Sequence, residues 1–242
     1  MLPTPSTSHV SFDNVYEPAE DSYLVLDTLS SASETAFLSQ RFPVHAPAPL
    51  ALEIGTGSGV VLAFISAHAR KLFGHTNVIT LGTDVNGFAC RAARETVQVA
   101  CKEHKAEAGI FTDVVAGDLA SPLRARKVDV LVFNPPYVPT EELPALPDDL
   151  VVPGREFERD SYLLSLSYAG GEDGMETTKR LLDSLGDILS ERGVAYVLLC
   201  ARNRPDEVAA GLRDAGWDVE VCGRSGKVGG WEKLVVLRIW RD

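Results

Sequence analysis

The chain has 242 residues, 45% of them apolar and 24% charged, which is the make-up of an ordinary globular protein with enough length for one full α/β core. Its formal net charge of −11 argues against a wide grip on phosphate backbones, because such grip comes from clustered Lys and Arg. No apolar run reaches the roughly 18 residues that cross a bilayer. The start of the chain lacks a basic segment followed by an apolar one, and Cys90, Cys101, Cys200 and Cys222 form no C-x-x-C pair. The expectation is an intracellular protein of the cytoplasm or nucleus, with free thiols and no metal site.

Residues 1–12 are polar and proline-punctuated and are expected to be a flexible N-terminus, leaving 13–242 as one domain. Pro18 suits the first position of a helix, with Glu20 and Asp21 near the positive end of its dipole and Tyr23, Leu26 and Leu29 along one apolar face. From Ser30 to Pro49 the chain is Ser-rich and then Pro-rich, which predicts a loop returning to the sheet. Leu50 to Ile54 is a short apolar strand, followed by Gly55-Thr56-Gly57-Ser58-Gly59 and a helical run from Val60. Strand, glycine loop and helix open a nucleotide-type fold, in which glycines permit the tight turn and let a ligand approach bare backbone.

After a loop from His68 to Asn77, Val78 to Thr83 is the second predicted strand, with Asp84 at its carboxyl end. An acidic side chain there can accept both hydroxyl hydrogens of a ribose. Asn86 caps a helix from Gly87 to about Glu103, in which Ala89, Ala93, Val97 and Ala100 recur at helical spacing. Ile110 to Ala116 is a third strand ending at Gly117-Asp118-Leu119, where Asp118 is placed to accept from an exocyclic amine such as that of adenine. For both aspartates a solvated loop acid is the alternative.

Val128 to Phe133 is β-branched and almost wholly apolar, as a strand buried on both faces should be, and Asn134-Pro135-Pro136-Tyr137 follows at its carboxyl end. Two prolines stiffen this corner. The Asn134 oxygen and a proline carbonyl form a fork for the two hydrogens of a planar –NH2 group, and the Tyr137 face suits the flat group that carries it. An amide nitrogen is a poor nucleophile, so holding its protons in a more tetrahedral arrangement stabilises attack on an electrophilic methyl group. The plainer alternative is a turn with a surface Asn and a core Tyr.

Val138 to Asp160 carries seven acidic residues against Arg155 and Arg159, and is read as a substrate-facing lid or a solvated acidic loop. Ala169-Gly170-Gly171-Glu172-Asp173-Gly174 opens a helix bearing Leu181, Leu185 and Ile188, which Gly193 closes before a fifth strand, Val194 to Leu199. Pro205 starts another helix that Gly216 caps. Trp217 to Val221 and Lys233 to Trp240 read as an antiparallel hairpin around the Gly-rich turn Arg224 to Gly230, closing an otherwise parallel sheet.

Leu52-Glu53-Ile54-Gly55-Thr56-Gly57-Ser58-Gly59 resembles motif I of the class I S-adenosylmethionine-dependent methyltransferases, and Asn134-Pro135-Pro136-Tyr137 resembles their amino-methylating signature. Tyr16-Glu17-Pro18-Ala19-Glu20-Asp21-Ser22 and Ala169 to Gly174 narrow the resemblance to the eukaryotic and archaeal release-factor glutamine methyltransferases, over about Asn14 to Trp240. Those enzymes modify the glutamine of the Gly-Gly-Gln tip of the class I translation termination factor.

The resemblance implies a Rossmann-like, seven-stranded mixed sheet with helices on both faces and a C-terminal antiparallel hairpin. It implies that S-adenosyl-L-methionine is held by Glu53 and Gly55 at its methionine part, by Asp84 at the ribose and by Asp118 with Leu119 at the adenine, with Thr56, Gly57, Gly59, Val85 and Asn134 also at the cofactor and Ser22 over it. Asn134 and the Pro135 carbonyl would bind the target amide at the corner that Pro136 stiffens, with Tyr137 packed on it. Family members work with a small zinc-binding activator that pairs with a sheet edge, here Ile110 to Val115. Ser30 to Pro49 and the acidic segment after Tyr137 look long for the family. Adenine-N6 methylation of nucleic acid shares the tetrapeptide and is the alternative. The net charge and the lack of a spare DNA-recognition block argue against it. Other protein targets such as lysine, or a non-catalytic subunit, are further alternatives.

Overall fold

The computed structural model describes residues 2–144, 156–226 and 233–242. Its centre is a seven-stranded sheet built from β1 (Leu50–Ile54), β2 (Ile79–Asp84), β3 (Ile110–Ala116), β4 (Val128–Phe133), β5 (Leu189–Cys200), β6 (Asp218–Arg224) and β7 (Leu234–Trp240). The order is β3-β2-β1-β4-β5-β7-β6. The first five strands are parallel, and β7 lies antiparallel between β5 and β6. The seven strands and the terminal antiparallel pair are as expected.

The apolar runs are continuous because both faces of the sheet are covered. In β4, Val130 and Val132 join a core with Val25, Leu29, Val61 and Phe64, from α1 (Glu20–Leu29) and α3 (Val60–Ala67). Leu131 and Phe133 join a second core with Leu181, Leu185 and Leu212, from α7 (Glu176–Ile188) and α8 (Pro205–Asp214). The same alternation divides β5, with Tyr196 and Leu198 on one side and Val197 and Leu199 on the other. Each large side chain so buried contributes about 1.5–3 kcal/mol. A third cluster packs α3 on α5 (Gly87–Glu103) through Leu62, Ala93 and Val97.

Four features differ from expectation. The stretch Ser30 to Pro49 is not all loop: it contains α2 (Ala32–Arg41), whose N-cap Ser31 accepts from the Glu34 amide. Serine caps helices as readily as it fills loops, which is why composition misled. The stretch His68 to Asn77 likewise holds a short helix, α4 (Ala69–Phe73). Gly193 does not close α7, which ends at Ile188. It lies within β5, where Val128 pairs with Leu189 and Val130 with Val194, so residues 190–193 form a bulge. Residues 2–12, expected to be loosely attached, form no helix or strand yet are anchored at two histidines. His68 Nε2 lies 3.0 Å from the Pro3 carbonyl, and His9 Nε2 lies 3.1 Å from Thr96 Oγ1. Much of the acidic segment expected as a lid, 145–155, and part of the Arg224 to Gly230 turn lie outside the described residues. α6 (Glu156–Ser165) follows that gap.

Connections from β1 and β4 leave on opposite sides of the sheet, so a crevice opens at their carboxyl ends, where such sheets bind ligands.

Candidate active site

A cavity of about 250 Å³ occupies that crevice. Its floor is the loop after β1. The Gly55 amide donates to the Thr83 carbonyl at 2.8 Å, folding the loop back over β2. Gly59 has φ of +80° and begins α3, and a β-carbon on it would overlap the backbone of Ala93. This glycine lets α3 lie flush on α5 and does not line the cavity. Gly55, Thr56 and Gly57 do line it.

Three buried carboxylates, Asp21, Glu53 and Asp84, stand on the walls. Glu53 accepts from the Leu62 amide at 2.8 Å, and burial pushes its carboxyl well above the usual range, with the nearby Asp84 charge adding to the shift. Asp84 accepts from the Gly57 amide at 2.9 Å and from the Asn86 amide at 2.8 Å. Burial raises it, and these amides pull the other way. The Val85 amide and the Thr56 side chain also act on Asp84, and its two oxygens, with about four lone-pair directions between them, can still accept from a hydroxyl-bearing ligand. Val85 beside it is exposed at the cavity rim.

At the end of β3, Leu119 sits in the left-handed region with φ of +50°, pinned by Thr83 Oγ1, which donates to its carbonyl at 2.8 Å. Asp118 lines the cavity but is paired with Arg180 of α7. Both partners are half-exposed, so this pair is worth no more than about 1 kcal/mol and can rearrange around a ligand.

Asn134, Pro135 and Pro136 form the remaining wall after β4. Asn134 Nδ2 donates to Asp21 Oδ2 at 3.1 Å, and Asn134 Oδ1 is buried with no hydrogen-bond partner among the described residues. A buried acceptor without a donor, on a residue of the cavity wall, is suited to receive one from a ligand. Tyr137 does not line the cavity. Its ring packs on the core that α1 and α3 share, and its hydroxyl donates to Asp21 Oδ2 at 3.4 Å. The packing and the bond to Asp21 make Tyr137 an anchor of the corner. Ser22, in the first turn of α1, lines the cavity.

Sequence reasoning did not pick out Asp21 or Arg180 as site residues. Asp21 stands in the stretch Tyr16 to Ser22, and its acidic neighbour Glu20 made both look like dipole-facing charges. Arg180 lies on a helix whose apolar period is clear and whose polar face carries no local signal.

Residues 30–151 match the family described as Methyltransferase small domain. The chain is 33% identical over 244 residues to the eRF1 methyltransferase catalytic subunit mtq2 of Schizosaccharomyces pombe, covering 100% of this chain and 96% of that protein. It is 33% identical over 242 residues to Methyltransferase HEMK2 of Homo sapiens, covering 99% and 97%. Among solved structures, the E. cuniculi Mtq2-Trm112 complex, described as responsible for methylation of the eRF1 translation termination factor, matches with a TM-score of 0.54 at 25% identity over 95% of this chain and 99% of that one. The fold is that of the class I methyltransferases, and the chain belongs to the release-factor glutamine methyltransferase family.

Proposed function

We propose that this chain methylates the N5 nitrogen of the glutamine side chain in the Gly-Gly-Gln motif of the class I release factor, as the catalytic subunit of a heterodimer. The observation that carries the reading is Asn134, a residue of the cavity wall whose Oδ1 is buried and, among the described residues, unpartnered. It is an acceptor waiting for an N–H, as a carboxamide substrate requires.

The cavity residues suit S-adenosyl-L-methionine. Glu53 and the Gly55 to Gly57 backbone would hold the methionine part, Asp84 the ribose and Asp118 with Leu119 the adenine, while Ser22 closes over it. When bound, the cofactor supplies an electrophilic methyl group on a sulfonium. The chain itself has to orient the amide nitrogen. Asn134 Oδ1 and the Pro135 carbonyl would take its two hydrogens, drawing it out of conjugation so that its lone pair is free to attack. Pro135 and Pro136 keep that fork from relaxing.

For the partner, the supporting observation is β3. It is an edge of the sheet, and Ile110 and Val115 are 54% and 38% exposed on it. An edge strand with exposed apolar residues is a template for added pairing, which fits a small zinc-binding activator along Ile110 to Val115. Translation termination would place the pair in the cytoplasm.

The test is methyl transfer from labelled S-adenosylmethionine by the chain, with and without its activator. Three acceptors are offered: intact release factor, release factor with the motif glutamine replaced by glutamate, and duplex DNA. Label on the intact factor alone is the expected outcome. Label on DNA, or on the glutamate variant, overturns the proposal.

A further inference from the structure

We infer that Asp21 is a positioning residue of the transfer reaction, fixing which end of the Asn134 amide faces the cavity. The inference rests on the proposed function for its reaction, and on geometry alone for the orientation.

Asp21 is 4% exposed and lies in the first turn of α1. Its Oδ1 accepts from the Ser22 amide at 2.6 Å and the Ser22 hydroxyl at 3.3 Å. Its Oδ2 accepts from Asn134 Nδ2 at 3.1 Å and the Tyr137 hydroxyl at 3.4 Å. All four donors are neutral. A carboxylate only accepts, whereas the two ends of a carboxamide have nearly the same shape and opposite polarity. Facing Asp21, the Asn134 amide must therefore present –NH2, since its oxygen there would meet another lone pair. That forces Oδ1 to the opposite side, where it is buried and has no partner among the described residues. Reversed, Asn134 would aim hydrogens at the hydrogens of a substrate amide, and the fork would repel what it has to hold. The charge on Asp21 also polarises the amide through that bond, making Oδ1 a better acceptor.

Asp21→Asn tests this without changing size. The substituted side chain keeps its oxygen on the short Ser22 amide bond, so its –NH2 replaces Oδ2 and faces Asn134, which turns over to accept it. In the assembled heterodimer, turnover on release factor is expected to fall roughly 100-fold, the scale seen when one transition-state hydrogen bond is lost. The affinity for S-adenosylhomocysteine, read by calorimetry, should stay within about threefold. Adding Asn134→Asp to Asp21→Asn restores a donor facing an acceptor and returns an oxygen to the cavity. It is expected to recover about tenfold of the lost turnover, a coupling that a merely structural carboxylate would not show. Asp21→Asn with turnover within about threefold of wild type, or a double variant no better than Asp21→Asn, overturns the inference. If wild type leaves release factor unlabelled, the substrate assignment fails by itself. Orientation is then read from the side-chain amide of Asn134 in nitrogen-15 spectra. Its two proton signals shift in Asp21→Asn if the pairing sets the orientation, and unchanged signals overturn it.

Discussion

The side-chain amide of Asn203 donates to the main-chain carbonyl of Tyr137 at 3.1 Å, across 66 positions of sequence. The same nitrogen reaches the Asp173 carbonyl at 2.9 Å, and Asn203 Oδ1 accepts from the Cys200 amide at 2.8 Å. Asn203 is 1% exposed, so it ties the end of β5, the Gly170 to Gly174 turn and the Asn134 to Tyr137 corner into one dry junction. Gly174 completes it, because a β-carbon there would overlap the Tyr137 carbonyl. The corner is thus held from behind as well as stiffened from within. Asn203→Ala leaves buried groups unpaired and is expected to cost about 1–3 kcal/mol in urea unfolding. Turnover should fall with cofactor affinity little changed, because the corner and not the glycine loop loses support. Wild-type turnover in Asn203→Ala would show that the junction does not hold the site.

Asn134→Ala removes the open acceptor and the donor to Asp21 together. Turnover is expected to drop at least about 100-fold, while the binding of S-adenosylhomocysteine, measured by calorimetry, stays near wild type. A large loss of cofactor affinity instead would move Asn134 from the substrate side of the cavity to the cofactor side.

Glu53 makes stability depend on pH. Burial raises its carboxyl in the folded protein above the ordinary value of 4.5. A raised carboxyl binds its proton more tightly folded than unfolded, so its favourable contribution is complete below about pH 4.5 and is lost as pH climbs through the folded value. The cofactor-free protein should therefore lose Tm as pH rises over that window. Asp84, raised in the same direction, adds to the slope. Glu53→Gln is expected to flatten the profile and to have a Tm at or above wild type at neutral pH, with the advantage shrinking toward pH 4.5, while weakening cofactor binding. A Tm difference independent of pH in calorimetric scans would contradict this account.

Glu34, on the helix that replaces the expected loop, is 1% exposed and takes Arg238 Nη1 on both oxygens, at 2.8 and 2.9 Å, with the Tyr196 hydroxyl at 2.8 Å. Arg238 also lies over the Phe37 ring at 3.9 Å and bonds Glu220. Burial and the Glu34 charge together hold the Tyr196 hydroxyl well above its usual range. Glu34→Ala leaves Arg238 Nη1 and the Tyr196 hydroxyl without their buried acceptor, with only the half-exposed Glu220 left to Arg238, and is expected to cost about 3–5 kcal/mol in urea unfolding. Glu34→Leu combined with Arg238→Met removes both charges and should cost clearly less. Equal losses in the two proteins would show that packing, not charge, fastens α2 to β7.

What the sequence determined by itself is the strand succession, the helices other than α2, α4 and α6, and the carboxyl-end positions of Glu53, Asp84, Asp118 and Asn134. Apolar periodicity, glycine turns and caps are local, and they agree with the packing wherever burial is decided by one element's own pattern. Asn86 illustrates this: its side chain accepts from the Phe88 amide at 2.9 Å and starts α5 at the expected residue. Tertiary structure alone decided the rest. The Ser-rich stretch, as α2, is fastened to β7 by Glu34 and Arg238, 204 positions apart. Asn134 took its orientation from Asp21, 113 positions earlier, Asp118 paired with Arg180, and Tyr137 turned to the core. Bonds between polar side chains far apart in the chain impose no period on either segment, so they become visible only when the fold brings the partners within reach.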